Sequence, residues 1–74
     1  MSFGLDAPSD ALLEVIDVAG HRVRTLTQGS MPAGPASVVW DGHDGSGHTV
    51  APGIYYARLS AGGHRVTREF VILH

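Results

Sequence analysis

Asp41, Asp44 and Ser46 fall within one short run, Trp40-Asp41-Gly42-His43-Asp44-Gly45-Ser46-Gly47. Carboxylate and hydroxyl oxygens on a loop that glycines allow to curl are the hard ligands Ca²⁺ takes. The spacing is not that of an EF-hand, which needs alternating ligands and a closing glutamate. The same residues also suit a tight turn, where aspartate bonds the nearby backbone and glycine supplies positive φ. Turn chemistry is therefore the simpler expectation, and Asp41 and Asp44 are the residues that would carry a calcium site.

His43 and His48 flank this run, and His21 and His64 stand at other expected turns. Zinc would need convergent ligands and a supporting second layer of hydrogen bonds. Without cysteine it could draw only on histidine and carboxylates, so these histidines read as solvated turn residues. Gly45-Ser46-Gly47 lacks the Gly-x-Ser-x-Gly frame of a nucleophile elbow. Gly42, Gly45 and Gly47 form no dinucleotide fingerprint, and no helix follows them to receive a phosphate. The expectation is a chain with no catalytic residue and no cofactor, not an enzyme.

Trp40, Tyr55 and Tyr56 could stack against a sugar. Alternation along an extended strand puts one tyrosine of the pair on each face. Trp40 and Tyr55 then read as core, with Tyr56 facing out. The arginines alternate with apolar residues and read as solvated faces, with edge charges discouraging unwanted strand pairing.

The elements that must position these groups are short extended runs between turn residues, which predicts an all-β domain. Residues 12–18 are rich in strand formers and stop at Ala19-Gly20. Residues 21–27 follow, with Val23 on one face and Arg22 and Arg24 on the other. Prolines and glycines interrupt residues 28–35, which reads as a connection. A third run over 36–40 places Ala36, Val38 and Trp40 on one face. Residues 54–60 alternate Tyr55, Ala57 and Leu59 against Ile54, Tyr56 and Arg58. Ala61-Gly62-Gly63 is a hairpin turn. Residues 65–73 form the closing strand, whose apolar run Phe70, Val71, Ile72, Leu73 suggests cover on both sides. Residues 2–5 supply a short opening strand. A helix over 10–18 is the rival, but Val15, Ile16 and Val18 crowd a helix and suit a strand.

Six to seven short strands imply two facing antiparallel sheets. The 74 residues make a single domain spanning 1–74, near the size where one core is marginal. Neither an internal linker nor a repeat is evident. With no cysteine there is no disulfide. The net charge of −2 argues against nucleic acid as a partner. All five basic residues are arginine, and lysine and asparagine are absent, which points to coding bias. No apolar run approaches the roughly 20 residues of a membrane helix, so membrane insertion is not expected. The first residues lack the pattern of a signal peptide. The chain opens almost inside a strand and ends on one, as a domain cut from the C-terminal end of a larger protein would.

The frame Leu13-Glu14-Val15-Ile16-Asp17-Val18-Ala19-Gly20-His21-Arg22-Val23-Arg24-Thr25-Leu26 resembles the opening of FlgD-type Ig-like domains. It is also similar to the C-terminal sorting domains of type IX secretion cargo proteins. Gly20, Val23 and Leu26 occupy the family positions, followed by Gly34, Trp40, Asp41, Gly42, Asp44, Gly47, Gly53 and Tyr55. Residues 68–73 resemble the basic-then-apolar final strand, and the Asn-Pro lead-in to the first strand is missing. The resemblance implies a small Ig-like, fibronectin III-like antiparallel β-sandwich. It further implies a non-catalytic C-terminal accessory or sorting domain of an exported bacterial protein, extracellular or at the cell surface. Partners would be an upstream domain and an outer-membrane secretion machinery. Arg65, Arg68, Val71, Ile72 and Leu73 would then carry recognition at the last strand. A flagellar hook-capping assembly domain and a carbohydrate-binding module using Tyr56 and the turn are the alternatives. A missing first-strand lead-in would leave an edge open to strand exchange or a homodimer.

Overall fold

A computed structural model describes residues 2–73. Its strands are β1 (Ser2–Leu5), β2 (Ser9–Asp17), β3 (Arg22–Met31), β4 (Gly34–Ser37), β5 (Gly53–Ala61) and β6 (His64–Ile72). They form two antiparallel sheets: β1 with β4, and a four-stranded sheet in the order β3-β2-β5-β6. The chain is all-β, a small antiparallel sandwich of the kind the family resemblance implies.

The core lies on β2, the strand with the densest apolar pattern. Ala11, Leu13 and Val15 are buried on the inner face. They pair across the sheet with Ala61, Leu59 and Ala57 of β5. Directly opposed residues share a face, so the same face continues on β6 through His64, Val66 and Arg68. Burying a side chain such as Val15 contributes about 2 kcal/mol. A cavity of about 370 Å³ separates β1 from this face, lined by Phe3, Leu13, Leu59, Val66 and Phe70 among others. At one end Trp40 packs edge-on against Tyr55 and Phe70, with ring centroids 6.1 and 6.0 Å away. Such pairs contribute about 1 kcal/mol beyond the area they bury.

Four expectations are corrected. The run over 36–40 is a strand from Gly34 to Ser37, pairing with Ser2–Leu5 of β1. Trp40 therefore lies beyond the strand, although Ala36, Val38 and Trp40 keep the alternating burial of one face. Second, β3 runs on through Gln28 to Met31 instead of turning there, since Met31 pairs with Ser9 at the start of β2. Third, Arg22 and Arg24 do not share a face. Arg22 pairs with Ile16 and Arg24 with Val15, with a register shift between them. Val23 is the extra residue of that β-bulge, and Leu26 is the extra residue of a second one between Thr25 and Thr27. A bulge sets two residues against one and re-aims the side chains after it. Fourth, β6 is not covered on both sides. It is an edge strand, Val66 and Val71 are exposed, and Leu73 follows the strand at 83 % exposure.

Candidate functional site

Two turns of identical construction form the main polar feature of this fold. Asp17-Val18-Ala19-Gly20-His21 joins β2 to β3. Asp17 Oδ1 accepts the backbone N–H of Ala19 at 3.0 Å and of His21 at 2.9 Å. Asp44-Gly45-Ser46-Gly47-His48 repeats this, with Asp44 Oδ1 accepting from Ser46 at 2.9 Å and His48 at 3.0 Å. The backbone bonds match as well: Asp17 N donates to His21 O and Gly20 N to Asp17 O. Asp44 N likewise donates to His48 O and Gly47 N to Asp44 O. Gly20 and Gly47 hold φ of 85° and 87°, a region a side chain disfavours.

His21 Nδ1 lies 3.6 Å from Asp17, and His48 Nδ1 lies 3.9 Å from Asp44. The two turns share the pattern Asp-x-x-Gly-His-x-Val, completed by Val23 and Val50. A repeat is therefore present after all, at the scale of one turn. Its sequence signal is legible, but a repeat of seven residues is too short to mark a domain duplication.

The second turn docks on β3 at the end of the sandwich. Gly45 N donates to the carbonyl of Val23, the bulged residue, at 3.1 Å. Arg24, aimed inward by the bulge, donates from Nη1 to the carbonyls of His43 at 3.2 Å and Asp44 at 3.3 Å. The same atom lies 3.7 Å from Asp41 Oδ1. Trp40 Nε1 donates to the His43 carbonyl at 2.9 Å, and Tyr55 Oη donates to the Ala51 carbonyl at 2.7 Å. Asp17, Val23, Arg24, Asp44 and Tyr55 line an open cavity of about 680 Å³ between the turns.

The carboxylates here are acceptors for their own loop. The backbone N–H of His43 holds Asp41 below the usual carboxylate range, and the charges of His43 and Arg24 add to this. The N–H of His48, then that of Ser46, does the same for Asp44, while partial desolvation works against both. Hydrogen bonds to the charged form favour it. His21 and His48 are exposed, as expected of solvated turn residues. Among the described residues no group of three or more His, Asp or Glu is placed to hold a metal ion.

The outer face of the four-stranded sheet carries a group that the residue pattern did not single out. Glu14 is buried, and its Oε1 accepts from Arg58 Nη2 at 3.1 Å. Its Oε2 lies 3.9 Å from Arg22 Nη1, the arginine the bulge sends to this face. A buried carboxylate between two arginines was readable only as a charge within the apolar run Leu12 to Ile16. Tyr56, paired with Ile16, lies on this outer face. Trp40 packs on the inner one, so the two rings share no stacking platform.

The expected recognition residues of the last strand divide by alternation. Arg65 and Val71 lie on the outer face, and Arg68 and Ile72 on the inner face. Leu73 lies past the end of the strand.

A family model described as FlgD Ig-like domain matches residues 1–64. No curated protein and no solved structure gives a match.

Proposed function

The chain belongs to the FlgD Ig-like domain family, and on that premise we propose a non-catalytic accessory domain of a larger exported bacterial protein. Its role would lie in secretion or surface attachment, with function carried by surface contact. One observation supports this reading above the rest. The carboxylates of Asp17, Asp41 and Asp44 are taken up by their own turns, whereas the nine-residue β6 lies at a sheet edge. Edge strands can be read by a partner through backbone pairing. Arg65 and Arg68 are exposed on that strand and would steer an acidic partner. In this reading the secretion machinery at the outer membrane is the partner, and the domain works extracellularly or at the cell surface.

Deleting residues 71–74 from a full-length parent should abolish export while the upstream region still folds. Export at the normal level after that deletion would remove the sorting role. A second reading, assembly at the flagellar hook, draws on the family description itself. Co-purification of the parent with hook or rod subunits, rather than export failure, would favour it.

A further inference from the structure

The edge of β6 has features that the sorting reading does not require. Its nine residues, His64–Ile72, pair with β5 in unbroken register, and they contain no proline. The other edge, β3, carries two bulges, and the N–H of Gly45 already occupies its Val23 carbonyl. Only β6 is a long, regular edge strand in this sheet.

Turn geometry fixes which backbone groups of β6 point outward. Gly62 and Gly63 hold φ of 55° and 80°, a two-residue type I′ loop in which Ala61 and His64 are the hydrogen-bonded pair. Hydrogen-bonded and non-hydrogen-bonded pairs alternate along an antiparallel ladder. His64, Val66, Arg68, Phe70 and Ile72 therefore bond to β5. Arg65, Thr67, Glu69 and Val71 turn their N–H and C=O outward, and the same four place their side chains on the outer face.

We propose that this edge binds the β6 edge of a second copy of the chain, antiparallel about a two-fold axis at Thr67. Two-fold symmetry makes such an interface self-complementary, and charge selects the register. With the axis at Thr67, Arg65 of each copy faces Glu69 of the other, and the two Thr67 residues face each other. An axis at Arg68 would set arginine against arginine, and one at Glu69 would set glutamate against glutamate. Like charges directly opposite are destabilising.

On the inner face this register puts Arg68 of one copy opposite Val66 of the other. Val66 is 51 % exposed in the single chain and borders the cavity beside β1. An inward charge such as Arg68 ordinarily blunts an edge. Here its aliphatic stem covers Val66 while its head reaches solvent. The result is a continuous eight-stranded sheet across two copies.

The proposal goes beyond the sorting reading, and its test reads mass rather than export. Sedimentation equilibrium of the chain from micromolar to millimolar concentration should show a monomer–dimer equilibrium. Arg65→Glu and Glu69→Arg should each weaken self-association by about tenfold or more, since each sets like charges opposite at both ends. An equimolar mixture of the two variants should regain wild-type association, because every facing pair is then of opposite sign. Thr67→Pro removes an outward N–H that β5 does not use, so it should abolish the dimer while leaving the melting temperature close to wild type. A monomer at every concentration overturns the proposal. So does a dimer that Thr67→Pro leaves intact, or a mixture that associates no better than either variant alone; both would place the contact elsewhere.

Discussion

Arg58 Nη2 donates to Glu14 Oε1 at 3.1 Å across the two central strands, on the outer face of the four-stranded sheet. Glu14 is buried, with Arg58 and Arg22 beside its carboxylate. Arg58 Nε is buried without a hydrogen-bond partner, so the pair is imperfectly satisfied. Removing one partner of a buried pair leaves an uncompensated charge, which costs more than removing both.

Arg58→Met should therefore destabilise the domain by about 3 kcal/mol, the lower end of the range for a broken buried pair. Arg58 keeps some solvent contact and Arg22 remains beside the carboxylate, which limits the loss. The double variant Glu14→Met/Arg58→Met should recover most of it. Urea unfolding of the four proteins in a double-mutant cycle measures this. Additive losses would show that the pair contributes nothing as a pair.

The acid limb of stability should report the Asp41 and Asp44 turn. Both carboxyls are held below their ordinary value in the fold, first by backbone N–H bonds. A folded pKa depressed in this way adds stability above the unfolded value, and that stability is lost as pH falls through the folded pKa. Melting temperature should fall as pH drops below about 4, the unfolded aspartate value. Asp41→Asn/Asp44→Asn should flatten this part of the profile. An unchanged slope between pH 4 and 2.5 would assign the loss to other carboxylates.

Matched turns should respond alike to matched substitutions. A Cβ at Gly20 or Gly47 would meet nothing within 4 Å, so only the positive φ resists a side chain. Gly20→Ala and Gly47→Ala should each cost about 1–2 kcal/mol, the penalty for a left-handed L-residue. Thermal unfolding measures both. A large cost at one site and none at the other would break the equivalence of the two turns.

Tyr55→Phe should cost about 1 kcal/mol, the net value of a hydrogen bond, because the Ala51 carbonyl loses its donor. Trp40→Phe removes the indole N–H that the His43 carbonyl accepts, and should cost at least as much. Denaturant midpoints give both values, with Trp40 emission as the probe in the tyrosine variant. A neutral Tyr55→Phe would mean that water replaces the phenol at no cost.

Strand type and turn placement were legible in the residues because both depend on near neighbours. Period-two alternation separated Tyr55 from Tyr56, and the structure puts them on opposite faces. Glycine at 20 and 47 and aspartate at 44 announced turns, and the structure bears them out. Asp17 and Val18 read as strand, yet Asp17 closes β2 and holds the turn with its carboxylate, and Val18 lies in that turn. The core pairing of Trp40 with Tyr55 followed from the same counting, although Trp40 proved to lie beyond its strand.

What the residues alone left open depends on which strand lies beside which. Arg22 and Arg24 look equivalent along the chain, and only the bulge at Val23 against β2 sends one to Glu14 and the other to the His43 carbonyl. A bulge is a property of two paired strands, so one strand's alternation cannot reveal it. The apolar run at the end of β6 looked like a buried strand, but sheet order made it an edge. The run Trp40 to Gly47, where metal chemistry was first sought, is determined by sequence as a turn. Tertiary structure decided what that turn is for: Arg24 and the Val23 carbonyl clamp it against β3, from a distance in sequence that local pattern does not span.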